Sequence, residues 1–153
     1  MSIFIALHIA AMFAAIAFAF GPLIVLILAV RRRDVPGIRG LLTAQGPVAR
    51  WIGPAFGVGI LLGLVAVFTN GYDPLRPWLL IAYVLTVIAA VLPQFSAAAW
   101  SKRLAMAAAT SPDDAPSPEL AAVMYDPRAR ALLVLDFCVV LVLIADMVIK
   151  PFS

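Results

Sequence analysis

The chain has 153 residues, 65% of them hydrophobic and only 12% charged, with a formal net charge of +3 and a mean hydropathy of +1.09. Soluble domains of this size carry about 25% charged residues, so there is too little polar material here to cover a water-facing surface. A water-soluble globular enzyme, a disordered chain and a nucleic-acid module are excluded, and the length allows one domain.

Four segments hold the roughly 20 apolar residues that a membrane-spanning helix needs. They run over residues 3–30, 51–69, 77–100 and 131–149. None alternates as a barrel strand would, and a helix satisfies its own backbone in lipid. The expected fold is an all-α, antiparallel four-helix membrane bundle formed by a single domain over residues 1–153.

The first segment is not read as a secretory signal. Its flank, Met1 and Ser2, carries no Lys or Arg, its apolar run is about twice a signal's core, and Arg31, Arg32 and Arg33 follow it. It is also long, at about 42 Å of helix, and Gly21-Pro22 predicts a kink within it. Ala11, Ala15 and Ala19 lie within about 60° of His8 on a helical wheel, so this face is expected to meet a neighbouring helix.

The connection over residues 31–50 contains Pro36, Gly37, Gly40, Gly46 and Pro47, with a short interfacial helix expected around Leu41 and Leu42. Span two carries Gly53, Gly57, Gly59 and Gly63 in two GxxxG spacings, small residues that let membrane helices approach closely. A tight turn over residues 70–77 leads to span three, which Pro93 is expected to bend. Residues 101–109 can prolong that helix beyond the membrane, with Lys102 and Arg103 on anionic headgroups. Residues 110–119 hold three prolines among small and acidic residues and read as a flexible loop.

Nine of the eleven basic residues fall in the two connections after spans one and three; the others are Arg76 and Lys150. By the positive-inside rule this predicts both termini outside and the two larger loops in the cytoplasm of a bacterial inner membrane. It also explains the sequence pI near 9.5 without nucleic acid. Trp51, Trp78 and Trp100 fall at span ends and read as interface anchors. Cys138 lies in an apolar run and behaves as a small hydrophobe.

Ionisable groups within spans cost about 2.5–3.5 kcal/mol or more unless paired or solvated, so they are the candidates for function. His8, Asp146, Tyr83 and Thr86 fall at similar depth near the outer ends of their spans. They form one candidate polar or haem/metal cluster, with a His8–Asp146 hydrogen bond expected within it. Asp136 falls nearer the other end, where Gln94, Ser96 and Arg50 form its expected company. Three readings stay open. The pair is structural, and the protein is an accessory, scaffold or oligomeric component, alone or in a larger membrane complex. Alternatively, His8 is an axial ligand of haem b or, less aptly, of copper. With a single histidine, a second ligand would be Met12, a residue of another chain or nothing. Thirdly, His8, Asp146 and Asp136 carry protons in a proton-coupled carrier. No phosphate loop, nucleophile elbow, paired cysteine or HExxH motif is present.

Leu7-His8 early in an outward-starting helix, four spans, and the closing stretch Met147-Val148-Ile149-Lys150-Pro151 resemble a bacterial family of predicted integral membrane proteins of unknown function. That family is similar in layout to the CopD-type copper-resistance membrane proteins and the HemJ-type protoporphyrinogen oxidases. The HemJ-type resemblance implies a haem role for the first-helix histidine, matched by His8. The tryptophan-rich continuation of those proteins does not follow His8 here.

Overall fold

In the computed structural model, residues 2–150 are described; Met1 of the N-terminal flank and Pro151 of the closing stretch lie outside them. Seven helices follow one another: α1 (Ile3–Arg32), α2 (Val35–Ala49), α3 (Ile52–Thr69), α4 (Pro77–Phe95), α5 (Ala97–Ala109), α6 (Pro118–Met124) and α7 (Pro127–Ile149). No strand occurs among the described residues. Four helical stretches, Ile3–Arg32, Val35–Thr69, Pro77–Ala109 and Pro118–Ile149, are long and apolar enough to cross a membrane. The protein is therefore an all-α, multi-pass membrane protein. Its chain forms two units, one of residues 2–73 with 113–115 and the other of residues 74–112 with 116–150.

The first unit is a long helical hairpin. Ser2 caps α1 by accepting from the Ile5 N–H at 3.4 Å. At the other end Arg33 takes a left-handed conformation, φ 58°, and its N–H closes onto the Ala29 and Val30 carbonyls. Asp34 then starts α2 by accepting from the Gly37 N–H at 2.9 Å. The direction reverses within these few residues. α2 and then α3 run back along α1, so that Gln45 donates to the Pro22 carbonyl at 3.0 Å and Asn70 donates to Ser2 at 3.0 Å.

One expectation changes here. Residues 35–49 form a full helix rather than a loop with a short helical piece. Pro36 sits in its first turn, where no N–H is needed, and Val35 and Ile38 are fully buried. Packing thus outweighs the low helix propensity of three glycines. As expected, α1 is one long helix that continues through Pro22, to Arg32.

The second unit repeats the hairpin plan with different joints. Pro77 opens α4 from its first turn. The helix stops at Phe95, and Ser96 (φ −103°, ψ −93°) separates it from α5. The expected single span over residues 77–100 is therefore broken near its end, three residues after Pro93. The stretch 110–119 is ordered by its own polar groups. Ser111 accepts from the Ser117 N–H at 2.7 Å, and Ser117 caps α6 through the Leu120 N–H at 3.2 Å. Asp113, which belongs with the first unit, pairs with Arg39 of α2.

Asp126 caps α7 by accepting from the Arg128 and Ala129 N–H groups at 2.9 and 3.3 Å, and Arg103 of α5 reaches its other oxygen at 2.8 Å. Asp126 precedes the apolar stretch of α7, and the Arg103 hydrogen bond, then the Ala129 N–H, hold its carboxyl below the usual carboxylate range. Trp100 is not an interface anchor: it is 4% exposed and donates its indole N–H to the Val123 carbonyl at 3.1 Å. Trp78 is equally buried, with the Lys150 ammonium 5.3 Å from its ring centre. Only Trp51, exposed beside Arg50, keeps an anchor's position.

The arms of the hairpins are 30 to 35 residues long, about 45–52 Å of helix against about 30 Å of hydrocarbon. Even at the ordinary tilt of about 20° each hairpin outruns the hydrocarbon. In each, the more polar short helices mark the end that does so.

The close approach of α1 to α3 rests on two glycines. A Cβ on Gly59 would lie 2.5 Å from Met12 Sδ, and one on Gly63 would lie 2.9 Å from His8 Nδ1, whereas Cβ atoms on Gly53 and Gly57 would meet nothing within 4 Å. Of the expected packing residues, Gly59, Gly63 and Ala15 are thus in the contact. Ala11 and Ala19 are half-buried, while Gly53 is exposed. Gly63→Leu is expected to destabilise the protein by about 1–3 kcal/mol through overpacking, measured as its unfolding midpoint in mild detergent. Gly53→Leu should stay within about 0.5 kcal/mol. Equal losses at both positions would refute the assignment.

Candidate functional site

The ionisable groups in the apolar helices occupy three separate settings. His8, half-buried on α1, lies against α3, with Nδ1 2.7 Å from the Gly59 carbonyl oxygen. A carbonyl only accepts, so Nδ1 carries the proton and donates it. In the neutral ring, Nε2 then holds a lone pair. Hydrogen bonds of this kind between membrane helices are worth about 0.6 kcal/mol on average and up to about 1.7. The bond therefore orients the ring more than it stabilises the hairpin. The sequence places His8 on the face of Ala11 and Ala15, and the partner it meets there is a glycine carbonyl.

Asp136 and Asp146 both lie on α7 and are 5% and 6% exposed. Their surroundings differ. Asp136 accepts a hydrogen bond from the hydroxyl of Ser96, itself 1% exposed. This fulfils one of the expected contacts. Gln94 is exposed instead, and the Arg50 guanidinium lies 5.8 Å from the centre of the Trp51 ring. Asp146 has no hydrogen-bond partner for either carboxylate oxygen among the described residues. The imidazole of His8 is held by Gly59, while Tyr83 and Thr86 are half-buried on α4.

An ionised carboxylate in apolar surroundings without a partner is far costlier than the neutral acid. The chemistry open to Asp146 is therefore uptake and loss of a proton. Asp136, with a hydroxyl donor, can also stay charged if a cation comes to it. Ten residues separate the two, about 15 Å along the helix, while a proton transfer needs partners within about 3 Å. They are two sites. No group of three or more metal-ligating side chains occurs among the described residues.

The bend expected at Pro93 takes the form of a full helix break at Ser96. The signal was present in Pro93-Gln94-Phe95-Ser96: a proline that withholds an N–H, followed within three residues by two polar side chains. No family model matches this chain, and no curated protein or solved structure matches it.

Because the chain has one histidine, its imidazole ¹⁵N spectrum reports His8 alone. The neutral ring is expected to show a protonated Nδ1 and an unprotonated Nε2. The opposite tautomer would be incompatible with donation to Gly59.

Proposed function

We propose that this protein passes protons across a bacterial cytoplasmic membrane, with Asp146 as the group that gains and loses the proton. The observation that carries this reading is the buried, unpartnered carboxylate. An intramembrane acid is expensive, and one that makes no bond adds nothing to packing, so a working role explains it better. An accessory or scaffold role in an oligomer or larger complex would put polar groups where a partner reaches them. Asp146, at 6% exposed, is not so placed.

The charge distribution supports both termini outside and the larger loops in the cytoplasm. Asp146, one turn from the end of α7, then lies about 6 Å from the outer surface of its span. Protons would reach it from outside.

The test is proton entry into vesicles holding purified protein and an internal pH-sensitive dye, driven by a potassium gradient with valinomycin. Wild type is expected to acidify the lumen faster than empty vesicles. Asp146→Asn should lose at least nine-tenths of that rate, and Asp114→Asn, in the exposed turn, should keep it. Wild type no faster than empty vesicles, or Asp146→Asn as fast as wild type, would overturn the reading.

One observation favours a second reading, binding of haem b at His8. Metal-ligating histidines commonly donate their other ring N–H to a backbone carbonyl, and His8 donates to Gly59 in that way. The resemblance to HemJ-type proteins points to the same residue. Protein purified after haem supply should then show a Soret band that shifts on dithionite reduction and is lost in His8→Ala. A colourless protein would remove this reading.

A further inference from the structure

The exposed stripe of α1 changes character toward the end of the helix. Ile24, Val25 and Leu28 are each about half exposed, and Arg31 and Arg32 beyond them are exposed as well. Arg31 follows Ile24 by seven residues and Arg32 follows Val25 by seven. Each arginine therefore stands within about 20° of an apolar side chain two turns back. The buried residues of the same stretch, Leu26, Ala29 and Val30, lie on the other side. Neither Arg31 nor Arg32 makes an ion pair or a side-chain hydrogen bond among the described residues.

The depth of this stripe follows from the hairpin. Ser2 and Asn70, joined by a hydrogen bond, mark one end of it. From there α3, 18 residues and about 27 Å long, leads to Trp51, which is exposed as an interface anchor is. On α1 the same hydrocarbon, about 30 Å thick, ends near Leu23. The headgroup layer beyond it, about 5–7 Å deep, takes in Ile24, Val25 and Leu28, and the two arginines stand just past it. Side chains of a helix tilt toward its N-terminus. The apolar length of α1 is N-terminal to Arg31 and Arg32, so both lean back toward the bilayer, over the apolar residues. Arg128 and Arg130 precede the apolar stretch of α7, and the same tilt turns them away from it. Arg39 and Arg103 are committed to Asp113 and Asp126.

We infer that α1 carries a binding site for one anionic phospholipid, with the phosphate between Arg31 and Arg32 and the glycerol and upper acyl chain against Leu28, Val25 and Ile24. The phosphate supplies the anion that the two guanidinium groups lack. The chain covers apolar surface that the headgroup layer leaves bare. One turn further in, Gly21 is exposed and puts no side chain in the path of that chain. The lipid can sit here whether or not Asp146 carries protons, so this site does not rest on that reading.

The experiment is native mass spectrometry of the full-length protein, released from mild non-ionic detergent after titration with phosphatidylglycerol or with phosphatidylcholine of the same chains. One phosphatidylglycerol is expected to bind about tenfold more tightly than phosphatidylcholine, the scale of one or two arginines at an anionic surface. Arg31→Gln with Arg32→Gln should abolish that preference, whereas Arg128→Gln with Arg130→Gln should keep it. Leu28→Asn, with every charge in place, should weaken phosphatidylglycerol binding severalfold. Inorganic phosphate at the same concentration should not displace the lipid. Gel filtration shows whether each variant is folded. If the double Arg31 and Arg32 variant is not, the two changes are measured singly, and each should reduce the preference. Equal binding of the two lipids would overturn the proposal, as would a preference kept in the folded Arg31 and Arg32 variants or lost equally in the Arg128 and Arg130 variant. Displacement by inorganic phosphate, or undiminished binding in Leu28→Asn, would also overturn it, since the arginines would then hold a free anion rather than a lipid.

Discussion

A polar atom carried into the apolar part of a membrane helix has to find a partner there or remain uncharged. Most features of this molecule follow from how its few such atoms meet that demand. His8 meets it with the Gly59 carbonyl, and Asp136 with the Ser96 hydroxyl. Asp146 does not meet it at all. The helices adapt accordingly. α3 has glycine at 59 and 63, where α1 brings Met12 and His8, because any side chain at those positions would hold the helices apart. α4 stops where its next residue is needed by Asp136.

Both units are built as hairpins whose arms outrun the hydrocarbon, and both place their helix joints on polar side chains. Asp34, Ser117 and Asp126 each begin a helix by accepting backbone N–H groups, which helix starts would otherwise leave unsatisfied. Arg103 and Trp100 add side-chain bonds that pin α5 to the α6–α7 corner. Such bonds belong to the polar ends of the hairpins, where water and headgroups make them affordable. Within the apolar lengths, shape does the positioning. The paired glycines and Ala15 allow contact between helices, and many of the large apolar side chains stay exposed to the surroundings, as a lipid-facing surface requires.

The spans themselves were legible in the sequence, since length and hydropathy are properties of each segment alone. The start of α1 at Ile3, the end of α3 at Thr69 and the end of α7 at Ile149 fall where the apolar runs begin and end. What depends on a partner was not legible. The glycines of residues 35–49 argue for a loop until Val35 and Ile38 are buried. Trp100 reads as an anchor until Val123 accepts its N–H. The same limit applies to the site. Sequence singled out His8, Asp136 and Asp146 because an ionisable residue in a span is conspicuous by itself. It could not name their partners, because depth in a membrane says nothing about which carbonyl or hydroxyl a neighbouring helix offers.

With His8 committed to a backbone carbonyl, its orientation is explained and its second nitrogen is left with a lone pair. Asp146 is left without an explanation from packing. Along α7 the two acids have different surroundings: Asp136 accepts from Ser96 at the helix break, whereas Asp146, among the described residues, has no hydrogen-bonding neighbour. The difference comes from what stands opposite each carboxyl rather than from the aspartates.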